Sequence, residues 1–262
     1  MPVPTLADVT ASLDALYPPG LAEPWDAVGL VCGDPQAPVR RVHFAIDPVQ
    51  AVVDEALALG ADLLVTHHPL YLRGTTSVAA DHVKGRVVHD LVRAGVGLFV
   101  AHTNADKADG GVNDALAAVI GLAEVQPLPS GLGRVGTVDP LSLADFAALV
   151  ADRLPATHGG VRASGDPASV VRRIAVCGGA GDDLFAEAVA AGADAFLTAD
   201  LRHHVASEAP GGLALLDASH WATEWPWLPL AAAALARVVD VKTSVSTLCT
   251  DPWTTATRSN QP

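Results

Sequence analysis

The sequence predicts an α/β protein built as two similar lobes, and three observations carry that expectation. Residues 41–46, 48–59 and 62–66 read as strand, helix and strand, a unit whose crossover makes its two strands parallel. From Arg173 the pattern returns without gaps. Arg41-Val42-His43-Phe44-Ala45-Ile46 aligns with Arg173-Ile174-Ala175-Val176-Cys177-Gly178, and the same offset pairs Glu55-Ala56 with Glu187-Ala188, Gly60-Ala61-Asp62 with Gly192-Ala193-Asp194, and Thr66 with Thr198. A repeat that keeps its helix length and its Gly-Ala-Asp turn points to duplication, with lobes related by a pseudo-two-fold, because ordinary helix-to-strand connections vary in length. Third, short apolar runs that read as buried strands end in polar clusters, at the position where open α/β sheets bind ligands.

The chain of 262 residues is long enough for one large or two small domains with a normal core. Its apolar half is spread as short Ala/Val/Leu runs; residues 228–235 are interrupted by Pro229 and too short to cross a bilayer, so no membrane association is expected. The N-terminus lacks a basic segment followed by an apolar one, which makes the cytoplasm the expected compartment. Cys32, Cys177 and Cys249 are dispersed and odd in number, fitting a reducing environment without a disulfide framework. A net charge of -13 and lysines only at 84, 107 and 242 argue against a nucleic-acid partner. One bound nucleotide stays open, because metal cations neutralise phosphates locally.

In chain order, Leu6, Val9, Leu13 and Leu16 mark an amphipathic helix over residues 5–17, stopped by Pro18-Pro19-Gly20. Residues 23–33 form a turn into a short strand; Trp25 and Asp26 stand open between lining a site and serving as a packed aromatic and a turn residue. After the first strand-helix-strand unit come a Gly- and Thr-rich loop, a helix at 83–94 and a third buried strand at 97–101. The Gly110-Gly111 turn leads to a helix at 112–120, and Pro127, Pro129, Gly131 and Gly133 mark a linker. A short strand at 136–139 precedes a helix at 143–154 with Ser142 as N-cap and Asp145 in its first turn. Beyond the repeated unit follow a strand at 213–216, a helix running through 239, a strand at 241–245 and a polar tail after Asp251.

The polar clusters hold the chemistry. His67-His68-Pro69 follows a buried strand, and Pro69 biases His68 towards extended backbone. A single histidine there would ordinarily be filler; an adjacent pair with further polar strand ends is not. The third strand ends in Ala101-His102-Thr103-Asn104-Ala105-Asp106, the repeat in Leu197-Thr198-Ala199-Asp200-Leu201-Arg202-His203-His204, and the next strand in Asp217-Ala218-Ser219-His220-Trp221-Ala222-Thr223-Glu224. His220 and Glu224 lie one helical turn apart, so they project from one face and can share a metal, with Ser219 able to cap the turn. Such pairs are common on solvated helices; the ordered set of four clusters gives the signal its strength.

That set is similar to the dinuclear-metal-centre hexameric family called NIF-three-like, whose members are often labelled GTP cyclohydrolase I type 2 homologues. The similarity runs from Leu6 to about Trp253, with the four motifs in the family's order. The resemblance implies a NIF-three-like fold and two divalent metal ions per subunit, bound by His67, His68, Asp106, His220 and Glu224. Five side chains give each of two metals three ligands only if a carboxylate is shared, and Glu224 is the better bridge because His220 points to the same place. The resulting assignment is His68, Asp106 and Glu224 on one ion and His67, His220 and Glu224 on the other, with a shared water. Imidazole and carboxylate donors without thiolate favour Zn, Fe, Mn or Co. Two cations about 3.5 to 4 Å apart acidify that water and clamp an oxyanion, the arrangement of a hydrolase.

His102 and His204 are expected beside the metals as proton shuttles, with orientation of a ligand as the equal alternative. Residues 1–126 with 215–262 are expected to form the metal-binding lobe, and 127–214 the second. The family usually has Asn at the position of Ala27 and Gly at that of Ala199, two departures that bear on the pocket more than on the metals. The expected function is metal-dependent hydrolysis of a small molecule, with a nucleotide as the class the family label suggests; no phosphate-binding Gly-x-x-x-x-Gly-Lys-Ser/Thr loop is present. The resemblance also implies a homohexamer, a trimer of dimers with its sites facing an internal cavity. A ring-forming metal-bearing scaffold without catalysis is the rival from another class, and metal storage or delivery is a third.

Overall fold

A computed structural model describes residues 2–257. The first helix, α1 (Leu6–Leu16), starts at a reciprocal cap in which Thr5 Oγ1 accepts the Asp8 N–H and the Asp8 carboxylate accepts the Thr5 N–H; Leu6, Val9 and Leu13 are buried on one face. There follow β1 (Gly29–Cys32), β2 (Arg41–Ala45), α2 (Gln50–Ala58), β3 (Leu63–Thr66), α3 (Val83–Ala94), β4 (Gly97–Val100) and the short α4 (Thr103–Lys107). The chain continues through α5 (Val112–Ile120), β5 (Ala123–Pro127), β6 (Arg134–Ser142), α6 (Leu143–Arg153), β7 (Arg162–Ser164), β8 (Val170–Ala180), α7 (Phe185–Ala190), β9 (Ala195–Ala199), α8 (His203–Ser207), β10 (Ala214–Ala218) and α9 (His220–Glu224). It ends with α10 (Trp227–Val238) and β11 (Lys242–Val245). Pro226 separates α9 from α10, because proline cannot continue the hydrogen-bond ladder.

Two compact units result. The first comprises residues 2–111 together with Leu228–Thr250, and the second Val112–Trp227 together with residues 251–257. The first unit carries a sheet in the order β1-β4-β3-β2-β11, parallel except for the antiparallel edge strand β1. Val52, Val53 and Ala56 of α2 and Val87 and Leu91 of α3 form a core with Leu64 and Leu98 of the strands. All four residues of β3 and of β4 are buried, which is why both read as unbroken apolar runs.

The second unit carries a sheet in the order β5-β6-β8-β9-β10-β7, with β8, β9 and β10 parallel. The stretch expected as a linker at 127–133 is the turn of the antiparallel β5–β6 hairpin. Residues 112–126 and β10, which the sequence assigned to the first lobe, lie in this unit. Parallel pairing of Ala214 with Ala195, continuing to Ala218 with Ala199, holds β10 in the second sheet, and the chain joins the first unit again only at Leu228.

Each unit contains the repeated element with the same internal wiring. Asp62 Oδ2 accepts the N–H groups of Arg40 and Arg41 at 2.7 and 2.9 Å, and Asp194 Oδ2 accepts those of Arg172 and Arg173 at 2.9 and 2.7 Å. The Arg41 guanidinium donates to Leu59 O at the end of α2, and that of Arg173 to Ala191 O after α7. Gly60 and Gly192 have φ of +63° and +72°, the left-handed turn that ends each helix. The Gly-Ala-Asp identity in the sequence is therefore a helix stop followed by a carboxylate that pins the neighbouring strand. Among the described residues no helix is long and apolar enough to cross a membrane.

Candidate metal centre

In the first unit β2, β3 and β4 run parallel, so residues following β3 and β4 emerge at one edge of the sheet. His67 and His68 extend β3 by backbone bonds to Ala45 O and Ile46 O, and Thr66 Oγ1 donates back to His68 O at 2.9 Å. His102 follows β4. One ring nitrogen from each of His67, His68 and His102 lies within 4.8 Å of the others, a group able to hold a metal ion.

What prepares these rings is their other nitrogen. Nδ1 of His67 bonds Ala101 O at 2.9 Å, Nδ1 of His68 bonds Asp47 Oδ1 at 2.7 Å, and Nδ1 of His102 bonds Asp26 Oδ1 at 2.8 Å. A carbonyl only accepts, as does an ionised carboxylate, so each Nδ1 carries the proton and each neutral ring offers its lone pair at Nε2. The acceptors are themselves held. Asp47 accepts the Thr250 hydroxyl; Asp26 accepts the Thr103 N–H and hydroxyl at 3.0 and 2.5 Å and the Ala27 N–H at 2.7 Å. Burial pushes the Asp26 carboxyl up, but the hydrogen bonds from His102 and Thr103 outweigh it and hold the group well below the usual carboxylate range.

The remaining positions of the 102–106 motif have local work. Asn104 accepts the His102 N–H and donates to Tyr17 O, which fixes the turn into α4, and Asp106 is brought to 3.7 Å from His67 Nε2. Asp26 is thus a support of the site, and Trp25 lies edge-on to the His102 ring at 6.1 Å while remaining 57% exposed. The sequence leaves both open and does not single out Asp47. Its only signal was an acidic residue directly after β2.

The second unit builds a different arrangement at the equivalent strand ends. After β9, Asp200 adopts φ +59°, a left-handed conformation tolerated by aspartate, and its Oδ2 accepts from His220 Nδ1 at 2.8 Å. His220 Nε2 lies 2.9 Å from Glu224 Oε1 across one turn of α9, and Glu224 is 3% exposed. The Glu224 charge, opposed by burial and aided by Asp200, pushes the His220 imidazole up to about 11. Donors of this type and spacing suit a divalent cation taking the proton's place.

A β-bulge makes room for this pair. Val176 faces Leu197 and Ala180 faces Ala199, so β8 places residues 177–179 opposite Thr198 alone. In the bulge Gly179 has φ +65°, and a Cβ there would lie 2.5 Å from Glu224 Oε1 and 2.8 Å from His220 Nε2. Thr223 Oγ1 accepts the Gly179 N–H and donates to His220 O, and Thr198 Oγ1 donates to Gly179 O. The Gly-Gly run after a buried strand was the available sign of this cradle. Ser219, expected to cap α9, instead donates its hydroxyl to Asp251. His204 stands exposed on α8 with its ring 5.2 Å from that of His203.

A family model described as Duf34/NIF3 (NGG1p interacting factor 3) matches residues 4–252. A Streptomyces coelicolor protein called GTP cyclohydrolase 1 type 2 homolog is 57% identical over 269 residues, covering 96% of this chain and 94% of its own length. A Mycobacterium tuberculosis protein of the same name is 36% identical over 366 residues, covering 95% and 96% respectively. The crystal structure of Staphylococcus aureus hypothetical protein SA1388 matches with a TM-score of 0.90 at 29% identity, over 96% of this chain and 99% of that one.

Proposed function

The chain belongs to the Duf34/NIF3 (NGG1p interacting factor 3) family, and from that premise we propose that it is a metal-dependent hydrolase of small molecules that binds two divalent cations per subunit. The ligand set is His67, His68, Asp106, His220 and Glu224, with Glu224 as the shared carboxylate. The observation that carries the reading is the repeated fixing of imidazole Nδ1 by acceptor groups, at His67, His68 and His220, which turns Nε2 outward for coordination. When bound, divalent cations supply an acidified water and an electrophilic clamp for developing negative charge. The chain's own residues do the rest: Ala101 O, Asp47 and Asp200 hold the rings in one tautomer, and Gly179 leaves space for the Glu224 carboxylate. His204, exposed on α8, is the proton carrier proposed from the second unit.

The relatives' label makes GTP ring opening the first reaction to try. Metal-loaded protein is assayed against GTP, phosphoesters and small amides, with Glu224→Ala as control and light scattering to determine the oligomer, expected to be a hexamer. Turnover that falls at least about a hundredfold in Glu224→Ala is the expected result, a ligand loss that removes the activated water. Inactivity across the panel, with an assembly that collapses on metal removal, would favour a metal-bearing scaffold. Unimpaired turnover in His204→Ala removes that residue from proton transfer.

A further inference from the structure

We infer that the second unit binds a free apolar α-amino acid in a cavity of about 360 Å³ between α8 and the β7 edge of its sheet, with Arg162 receiving the carboxylate and Asp217 the ammonium group. The cavity lies within residues 162–217 and draws on none of the metal donors, so it stands or falls independently of the hydrolase reading.

Arg162 and Asp217 stand opposite each other where antiparallel β7 meets β10. Both guanidinium contacts fall on one carboxylate oxygen: Nε donates to Asp217 Oδ2 at 2.7 Å, and Nη2 donates to the same oxygen and to Leu201 O at 3.2 Å. A pair built only to fasten an edge strand would match fork to fork, one nitrogen to each oxygen. Here Nη1 and Oδ1 meet no partner among the described residues, and both side chains line the cavity. The Arg162 side chain is 73% exposed, at the mouth, and that of Asp217 is 11% exposed, further in. A fixed cation and a fixed anion, each with one free end, complement a zwitterion. A dianionic phosphate ester would be repelled by Asp217, and a polyamine by Arg162. Ser164, two residues along β7 and so on the Arg162 face, offers its hydroxyl to the second carboxylate oxygen. Leu201 and Leu215, both buried, and Ala206 form an apolar wall for the side chain. The volume sits at the lower end of the roughly 300–1,000 Å³ of small-molecule pockets, which suits a single amino acid. A peptide does not carry both charges on one carbon.

The test titrates L-leucine into the full chain by calorimetry, in metal-loaded and chelator-stripped forms, because α-amino acids also chelate divalent cations. A dissociation constant between about 10 µM and 1 mM, equal within about twofold in the two forms, is expected. 4-Methylpentanoate, which lacks the ammonium group, and leucinamide, which lacks the carboxylate, should each bind at least about tenfold more weakly. Asp217→Asn keeps an oxygen for Arg162 while removing the charge; it should weaken leucine at least about tenfold without weakening 4-methylpentanoate. Ala206→Leu fills the cavity from α8, leaves both charged residues in place and should abolish binding. The inference is overturned if wild type takes up no leucine at about 10 mM, if uptake disappears with the metals, or if either folded variant binds leucine within about twofold of wild type. Should either variant melt early by circular dichroism, the analogues on wild type decide: leucine, 4-methylpentanoate and leucinamide binding alike would overturn it.

Discussion

Replacing Gly179 with alanine separates backbone strain from damage to the His220–Glu224 pair. Gly179 has φ +65°, where an alanine costs about 1–2 kcal/mol. Gly192, in the same unit, has φ +72°, and a Cβ there would meet nothing closer than Arg173 Cδ at 4.0 Å, so Gly192→Ala carries the backbone cost alone. At Gly179 the added carbon would sit 2.5 Å from Glu224 Oε1 and 2.8 Å from His220 Nε2, both well inside van der Waals contact. Glu224 is 3% exposed and cannot swing into solvent, so the carboxylate and imidazole are pushed apart by up to about 1 Å. Both variants should lose roughly 2–4 °C in Tm per kcal/mol. Only Gly179→Ala should also lose metal affinity, by about ten- to a hundredfold. Thermal melts of chelated protein and calorimetric titration with Zn2+ measure the two effects. Gly179→Ala binding metal as tightly as Gly192→Ala would refute the argument that the bulge exists to seat the pair.

Further outcomes are expected. Asp62→Ala and Asp194→Ala each orphan two backbone N–H groups and should destabilise by similar amounts, about 1–3 kcal/mol in urea denaturation; an effect at one and none at the other would mean the two carboxylates do not play equivalent parts. Asp200→Gly keeps the left-handed backbone while removing the acceptor for His220 Nδ1, so metal affinity should fall about ten- to a hundredfold with little change in the chelated protein's circular dichroism. Hydrogen bonds from Thr5 hold the Asp8 carboxyl below its ordinary value of 3.8. The stability it contributes is therefore complete above that pH and is lost as pH falls through the lowered folded value. A comparison of wild type and Asp8→Asn across pH 2 to 6 should show their melting temperatures converging only at the acid end, roughly below pH 4; a constant difference would show that ionisation of Asp8 plays no part in the cap.

Much of the molecule was legible because its signals are local. The helix over Leu6–Leu16 follows from apolar spacing and the Pro18-Pro19-Gly20 stop, and the strands β3 and β4 from short apolar runs. The duplicated element was visible as Gly-Ala-Asp in matched register, and the structure gives those three residues a task in each copy. The residues joining β5 to β6 read as a linker because of their prolines and glycines, and β5 itself goes unseen because all five of its residues are exposed and an exposed edge strand leaves no periodic apolar trace. The lobe boundary near residue 215 was misplaced for a related reason: which sheet a strand joins depends on its neighbours, and β10 is claimed by β9 and β7.

The candidate site divides along the same line. By itself the sequence determined which residues stand as candidate donors and their order along the chain, because His67-His68, the 102–106 motif and His220 with Glu224 are readable as residue types at fixed spacing. Only the tertiary structure decided which nitrogen each ring offers and which glycine leaves room for the carboxylate. Asp47 is 21 residues from His68, Asp26 is 76 from His102, and Asp200 is 20 from His220. No periodicity relates groups that far apart along the chain; they meet because parallel strands deliver their ends to one edge of each sheet, and the antiparallel β1 brings its start to the end of β4.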